Sequence, residues 1–460
     1  MDAERREQLK EAVLHELRMT EQLEDEAVGR VIDRVVLEES RKNYIPLAEK
    51  LRLRKDLFHS IRGLDVLSDL LEDPEITEIM INGTGPIYIE KQGRILRTEL
   101  SFRDEDRLLN VITQMITGAN RTINETNPIA DAVLPDGSRV NVVLGTVSRG
   151  GHAVTIRKFP DHAFRMEDLV RAGSLSEEAA ELLRLLVRAR YNIFISGGTG
   201  SGKTTFLNAL TEFIPSDERV ITIEDVAELS LQGPQNLVRL EARNANMEGK
   251  NQIDIRELVR TSLRMRPDRV IVGEVRDAAA ADMLTAMLTG HEGSLSTGHA
   301  NSVGDMLLRL ETMVLSAEEI PLSAVRRKLA SALDIVVHLG RLRDKSRRVL
   351  EITEIVGYEG DEILLNPLFQ FEDAGGTGRR VQGRLARVNR LLRVDKLQLA
   401  GCMEAYHEIT GQKCGMVEER TAYGEKKTCG EFTEEERTAG HGRSSGGGCD
   451  RNDPGGMAFL

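Results

Sequence analysis

Cysteine is missing from the first 401 residues of this 460-residue chain, and all four cysteines lie between residues 402 and 449. A fold held together by disulfide bonds is therefore excluded for most of the chain. The cysteine spacings contain no C-x-x-C pair, which gives little support for a zinc site. The segment that carries them is polar and glycine-rich, and we expect most of it to be disordered.

The chain also lacks any run of about 18 apolar residues, so no segment is expected to span a bilayer. The first residues, MDAERREQLKEAV, are charged from the second position and lack the apolar centre of a signal peptide, which predicts a cytoplasmic protein. The net charge of -12 argues against a nucleic-acid partner. Two basic stretches, residues 41–55 and 378–396, are either solvated faces or contacts for an acidic membrane surface or partner.

Hydrophobic patterning predicts an N-terminal helical segment over residues 1–59, with little core of its own. The apolar side chains expected near one helix face are Ala27, Val31, Val35 and Leu37. Residues 60–162 show short strands around one helix, with a hairpin turn at Asp136-Gly137. This pattern predicts a smaller α+β domain.

Helices and strands alternate from residue 163 to residue 372, which is typical of an α/β domain with a parallel sheet and crossover helices. The strands predicted at its end, within residues 334–342 and 347–369, are expected at the sheet edge. Residues 373–460 are predicted to form a basic segment followed by the cysteine-containing tail. The predicted fold class is thus α/β, with a smaller α+β domain and a helical segment before it.

The stretch GGTGSGKTT has the spacing of a P-loop, and a predicted strand precedes it and a predicted helix follows it. Glycines let backbone amides turn towards phosphate oxygens, and the following helix points its positive end at the same anion. Lys203 supplies a mobile charge, and the Thr204 hydroxyl suits Mg²⁺. The predicted ATP-binding residues are Gly197, Gly198, Thr199, Gly200, Ser201, Gly202, Lys203, Thr204 and Thr205.

Two further predicted strands end in carboxylates. The strand RVIVG is followed by Glu274, which is predicted to join Thr204 in holding Mg²⁺. The strand VITI is followed by Glu224, with Glu228 one turn on. We predict that Glu224 orients or deprotonates the attacking water. The alternative is a solvated Glu224 beside a helix cap at Asp225.

His291 and His299 lie eight residues apart in the stretch GHEGSLSTGHA. His299 follows a predicted strand, so it is expected at the nucleotide edge, where a hydrogen bond to the γ-phosphate would be lost after hydrolysis. The alternatives are a structural histidine or a metal ligand. Magnesium prefers oxygen ligands, and zinc needs a third ligand that the nearby sequence lacks. His291 is predicted to cap helix carbonyls.

These motifs resemble those of the secretion ATPase superfamily that serves type II secretion, type IV pili and type IV secretion. TIEDVAEL is similar to its Asp box, RMRPDRVIVGEVRD to its Walker B segment and TGHEGSLSTGHANS to its His box. The stretches EIMINGTGPIYIEKQGRI, PDGSRVNVV and VTIRKFP resemble the CpaF/TadA-type branch, which powers Flp/Tad pilus assembly.

The resemblance implies a RecA-like nucleotide domain and a homo-hexameric ring that docks on an inner-membrane platform protein and acts on pilin subunits indirectly. It implies that arginines of the smaller domain reach the nucleotide phosphates. Arg121, Arg139 and Arg157 lie in the matching stretch, and Arg139 matches best. Val133 stands where relatives often carry arginine, so one expected cation is missing.

The sequence thus predicts a cytoplasmic motor ATPase, peripherally bound to the inner face of the cell membrane. Its predicted catalytic residues are Glu224, Glu274, His299 and Arg139. A conjugation-type ATPase that acts with nucleic acid is one alternative. A nucleotide-gated scaffold with negligible turnover is another.

Overall fold

The computed structural model describes residues 3–18, 25–61, 64–91, 93–119, 121–159, 164–243, 251–375 and 381–411. Residues 412–460 lie outside the described residues. They contain three of the four cysteines and most of the tail for which the sequence predicts disorder. Among the described helices, none is long and apolar enough to cross a membrane.

Three helices form the N-terminal unit: α1 (Ala3–Arg18), α2 (Asp25–Lys42) and α3 (Leu47–Ile61). They share a cluster of ten buried apolar residues that includes Val13, Val28 and Ile32. The expectation of little core is therefore wrong. Ala27, Val31 and Val35 are buried as predicted, but Leu37 is 55% exposed, because two residues past Val35 the helix has turned by about 200°.

The smaller domain is an antiparallel sheet with helices packed against it. Its elements are α4 (Leu67–Glu72), β1 (Ile76–Asn82), β2 (Pro86–Lys91), β3 (Arg94–Ser101), α5 (Glu105–Gly118), β4 (Ile129–Val133), β5 (Arg139–Val143) and β6 (Ala153–Arg157). The strand order is β3-β2-β1-β6-β5-β4. The Asp136-Gly137 turn joins β4 to β5, as predicted.

The larger domain is built on a nine-stranded sheet in the order β15-β14-β13-β12-β7-β11-β10-β8-β9. Its strands are β7 (Ile193–Gly197), β8 (Arg219–Glu224), β9 (Asn236–Glu241), β10 (Arg269–Val272), β11 (Leu295–Gly298), β12 (Ile335–Arg341), β13 (Arg347–Glu359), β14 (Glu362–Asp373) and β15 (Gly383–Arg387). Strands β12 to β9 in this order are parallel, and β13 to β15 add on antiparallel. The predicted fold class is confirmed.

Helices cover both faces of this sheet, and one apolar cluster lies on each face. They are α6 (Met166–Arg171), α7 (Glu177–Arg188), α8 (Lys203–Thr211), α9 (Ile255–Ser262), α10 (Ala279–Leu288), α11 (Val303–Ala317) and α12 (Leu322–Ala332), followed after the last strand by α13 (Asp395–Leu399) and α14 (Met403–Thr410). Parallel strands with crossover helices place their carboxyl ends on a common edge, where a ligand site is expected.

Two sequence expectations about the end of this domain are corrected. Strand β12 is not an edge strand, because it pairs in parallel with β7 and antiparallel with β13. The sheet also continues past the boundary expected at residue 372, since β15 pairs with β14.

The segment from the end of β15 to α14 packs on the larger domain. Leu397 of α13 and Tyr406 of α14 are buried in the main apolar cluster. Arg387 lies 2.9 Å from Glu178, and Lys396 lies 2.8 Å from Asp334. Helix α14 is therefore an ordered part of the tail, most of which was expected to be disordered, and these two basic side chains face the protein itself.

Candidate nucleotide-binding site

The phosphate loop joins β7 to α8 at the carboxyl edge of the parallel strands. A Cβ on Gly197 would lie 2.5 Å from the carbonyl oxygen of Leu339 on β12 and 2.6 Å from Ser201 Oγ. Gly202, directly before α8, has φ 94°, in the left-handed region that favours glycine. The loop and the N-terminus of α8 line a cavity of about 250 Å³, where such a backbone favours an anion.

Lys203 lies buried against the loop at this cavity. Its Nζ donates hydrogen bonds to the carbonyl oxygens of Gly197 at 3.1 Å and Gly198 at 3.0 Å. Burial lowers the pKa of Lys203, and the charge of Arg157 lowers it further while that of Glu274 raises it. The lysine is thus held where it can meet the outer phosphates of a nucleotide.

His299 connects Lys203 to Glu274. Its Nδ1 lies 3.3 Å from Lys203 Nζ, and its Nε2 lies 3.1 Å from Glu274 Oε1. Because an ammonium group only donates, Nδ1 is assigned as the acceptor and Nε2–H as the donor to the carboxylate. Burial, and then the charge of Lys203, lowers the pKa of His299, so the ring is neutral at neutral pH.

Glu274 follows β10 and carries its charge inside the cavity. Burial opposes its ionisation, but the hydrogen bond and charge of Arg276, with the charge of Lys203, prevail and lower the pKa of Glu274. Arg276 Nη2 donates to Glu274 Oε2 at 2.9 Å. The carboxylate is therefore ionised, and its oxygens are of the kind that a hard cation binds, although in this structure Oε1 faces His299 and Oε2 faces Arg276.

Glu224 ends β8 as a buried side chain, 5% exposed, so the alternative of a solvated Glu224 is wrong. Its Oε1 accepts from the backbone amides of Glu228 at 2.8 Å and Leu229 at 2.9 Å. Burial raises the pKa of Glu224 to about 7 despite these hydrogen bonds. A carboxyl with this pKa can exchange a proton near neutral pH.

The smaller domain sends Arg139 and Arg157 into the same cavity. The two are cross-strand partners on β5 and β6. Arg139 Nη1 lies 2.7 Å from Glu228 Oε1, and its Nη2 donates to the carbonyl oxygen of Val226 at 2.5 Å. Arg157 Nη1 lies 3.7 Å from the same Glu228 oxygen. The cavity is therefore shared between the two domains.

Other sequence-predicted positions lie apart from this cavity. Arg121 is not among the residues described as lining it. Val133 pairs with Arg139 across β4 and β5, so the cation missing there would have extended the row that Arg157 and Arg139 begin. His291 Nδ1 lies 3.3 Å from the carbonyl oxygen of Ala286 near the end of α10, which agrees with the predicted capping role.

The described residues give no support to a metal site built on histidines. Within the described ranges, no group of three or more His, Cys, Asp or Glu side chains is arranged to hold a metal ion. Both ring nitrogens of His299 already face protein partners, Lys203 and Glu274.

Sequence reasoning missed two arginines that contact the site, Arg276 and Arg347, and a third, Arg341, on the same hairpin as Arg347. Arg276 stands two residues after Glu274, and this alternation of charge in GEVRD could have pointed to it. Arg347 Nε donates to the carbonyl oxygen of Gly200 at 2.9 Å, and its Nη2 lies 3.4 Å from Glu90 Oε1 on β2. Arg341 Nη2 donates to the carbonyl oxygen of Gly93 at 2.6 Å. Arg341 and Arg347 come from the β12–β13 hairpin. No local sequence motif indicates that this hairpin contacts the phosphate loop.

Residues 61–428 match the family model described as type II/IV secretion system protein. The chain belongs to this family. The conjugal transfer protein TrbB of Rhizobium radiobacter is 32% identical over 314 residues, which cover 67% of this chain and 93% of TrbB. The type IV secretion system protein VirB11 of Brucella suis is 32% identical over 303 residues, which cover 60% of this chain and 84% of VirB11.

Among solved structures, the crystal structure of the VirB11 ATPase from Brucella suis matches with a TM-score of 0.34 and 31% identity. The match covers 62% of this chain and 94% of that one. The predicted membership of the type II/IV secretion ATPase superfamily is confirmed by the family model. The narrower CpaF/TadA-type branch stays a prediction.

Proposed function

We propose that this protein is a motor ATPase that hydrolyses ATP to power Flp/Tad-type pilus assembly or a related secretion machine. The observation that carries the proposal is the convergence of Lys203, Glu274, His299, Glu224 and Arg139 on one cavity at the phosphate loop. These groups provide phosphate binding, an ionised carboxylate, a neutral imidazole, a buried acid and a second cation in one place.

In this proposal the loop amides and Lys203 bind the phosphates of ATP. The side chains of Thr204 and Glu274 line the cavity with hard oxygen ligands and fit Mg²⁺, which when bound neutralises phosphate charge. Glu224 orients the attacking water through Oε2, since Oε1 accepts two backbone amides. Arg139 stabilises charge that develops on the phosphate oxygens.

His299 is the proposed sensor of the γ-phosphate. A phosphate that binds Lys203 competes with the contact between that lysine and His299 Nδ1. Arg309 of α11 donates from Nη1 to the carbonyl oxygen of His299 at 2.5 Å. A shift of the histidine segment would therefore reach α11 through this hydrogen bond.

For the assembly we propose a homo-hexamer in the cytoplasm that docks on an inner-membrane platform protein. Family membership supports this proposal. The basic stretch 41–55 supports contact with an acidic membrane surface, since it also contains Tyr44, 91% exposed, and Leu47, 72% exposed. We further propose that residues 60–162 act as the arginine-bearing domain, and that the nucleotide domain begins at residue 163.

A conjugation-type ATPase is the second candidate. The likeness to TrbB, a conjugal transfer protein, favours it. The net charge of -12 does not favour direct contact with nucleic acid. Stimulation of ATP turnover by added DNA would support this candidate over the pilus motor.

The test is ATP turnover per subunit against protein concentration, with Mg²⁺, and with or without acidic lipid vesicles. A ring motor predicts a rate per subunit that rises with concentration. The Lys203→Ala variant should lose nucleotide binding, whereas Glu274→Ala should bind ATP and lose turnover by about 100-fold or more. A flat rate near zero with ATP bound would replace this proposal by the scaffold, and normal turnover in Glu274→Ala would refute the role of Glu274.

A further inference from the structure

Glu228 places a carboxylate in contact with both arginines that the smaller domain sends to the phosphate loop. Its Oε1 lies 2.7 Å from Arg139 Nη1 and 3.7 Å from Arg157 Nη1. The side chain is 21% exposed and lines the cavity of Lys203 and Thr204. The two arginines are therefore engaged by an anion of the protein itself.

A carboxylate and a phosphate are alternative partners for the same guanidinium group. Both present anionic oxygens that accept the planar N–H fork of arginine. Arg139 is anchored from Nη2 to the carbonyl oxygen of Val226, and its Nε is buried with no partner within the described part of the chain. Arg139 is thus held at the cavity with a donor still unused.

The charges of this cavity act on one another. Burial is the main cause that lowers the pKa of Lys203, but the positive charge of Arg157 also lowers it and the negative charge of Glu228 raises it. An anion bound at Lys203 is therefore attracted by the arginines and repelled by Glu228. The binding of such an anion is strongest when the arginines no longer contact Glu228.

Glu228 is also connected to the buried acid of the site. The backbone amides of Glu228 and Leu229 donate to Glu224 Oε1 at 2.8 Å and 2.9 Å. A movement of Glu228 that includes its backbone would therefore shift the amides that fix the Glu224 carboxyl.

We propose that Glu228 is a competing anion that holds Arg139 and Arg157 until the terminal phosphate of a nucleoside triphosphate displaces it. The inference rests on the proposed function, since it needs a triphosphate at Lys203. A diphosphate lacks the displacing group, so Glu228 lowers the affinity for the triphosphate much more than that for the diphosphate. Exchange of the partner ties triphosphate binding to a shift of the loop beside Glu224. Glu228 acts through the arginines and is a positioning residue.

The test is equilibrium binding of a non-hydrolysable ATP analogue and of ADP, with Mg²⁺, to the full chain and to Glu228→Gln. The variant keeps the shape of the side chain but removes its charge. We expect the affinity for the ATP analogue to rise by about five-fold or more, because the arginines no longer have to exchange partners. The affinity for ADP should change by less than about two-fold.

Asp225→Asn is the matched control. It also removes one negative charge from the cavity, but Asp225 pairs with Arg276 at 3.6 Å and not with the two arginines of the smaller domain. Its effect on both nucleotides should be equal. The double variant Arg139→Ala with Glu228→Gln is compared with Arg139→Ala alone. In this background, Glu228→Gln should no longer raise the affinity for the ATP analogue.

Three outcomes overturn the inference: an equal gain for ADP, a gain that persists without Arg139, or weaker binding of the ATP analogue to Glu228→Gln. Failure of the unsubstituted chain to bind either nucleotide would overturn the proposed function and this inference together. Binding of both nucleotides without a selective shift would overturn this inference alone.

Discussion

At the scale of single residues, Glu224 combines burial with a position at the end of a strand. Its pKa is raised from 4.5 to about 7, chiefly by burial. In the folded protein the neutral form is therefore favoured between these two values. An unfolded chain ionises this carboxyl at the lower pH, so folding stability is lost as pH rises through this window.

This gives a prediction for Glu224→Gln. Relative to the variant, the unsubstituted protein should lose on the order of 2–3 kcal/mol of unfolding free energy between pH 5 and pH 8. Denaturant unfolding at both pH values measures the difference. If Glu224 orients water as the charged form, kcat/KM should rise with pH around a midpoint near 7. A stability difference that does not change with pH would contradict this account of Glu224.

Sequence reasoning at this scale works where residues are close in sequence or follow a strand end. Lys203, Glu274 and His299 meet because parallel strands bring their carboxyl ends together, which the alternating pattern predicts. Arg347 could not be found in this way. Its contact with Gly200 depends on how a distant hairpin packs, which no periodicity encodes.

At the scale of elements, the close packing of β7 against β12 constrains the phosphate loop. The β12 backbone leaves no room for a Cβ on Gly197, whereas a Cβ on Gly198 would meet nothing within 4 Å. A side chain at position 197 is therefore limited by the neighbouring strand β12, whereas a side chain at position 198 is not.

Gly197→Ala should accordingly destabilise the protein by about 1–3 kcal/mol, because strand or loop must shift. Gly198→Ala serves as the control for stability, with a change within about 0.5 kcal/mol. Thermal or denaturant unfolding of the two variants decides the matter. Equal stability of both would show that the loop relaxes freely away from β12.

Strand β12 also shows why the edge position was predicted wrongly. Its residues Ile335 to Leu339 are all buried, which is typical of an interior strand covered on both faces. The position of a strand late in the chain does not fix its place in the sheet. Pairing of β12 with β7 joins segments about 140 residues apart and is settled by long-range packing.

At the scale of the whole molecule, the larger domain needs the chain well beyond the boundary expected at residue 372. Met1–Gly411 forms one compact unit. The segment beyond that boundary adds to the main cluster the buried side chains of Leu385, Leu391, Leu397 and Tyr406. The polar composition of this segment did not predict the contribution. A few apolar side chains are enough to hold a charged stretch against the domain.

A chain that ends at residue 372 should therefore fail to fold cooperatively. Loss of four buried side chains at about 2–4 kcal/mol each approaches the whole stability of a typical domain. A chain that ends at residue 411 is the comparison and should unfold cooperatively. Calorimetry of both chains tests this, and a cooperative transition in the shorter one at a similar temperature would show that β15 and α14 are dispensable.

Two arginines of the β12–β13 hairpin bind the smaller domain, Arg347 at Glu90 and Arg341 at Gly93. Arg347 also binds the phosphate loop at Gly200. A force that pulls on the smaller domain is therefore transmitted to the loop through Arg347 over the length of one side chain. Free-energy coupling between two sites is reciprocal. A nucleotide that displaces the domain would, by the same contacts, be bound with an affinity that depends on mechanical load.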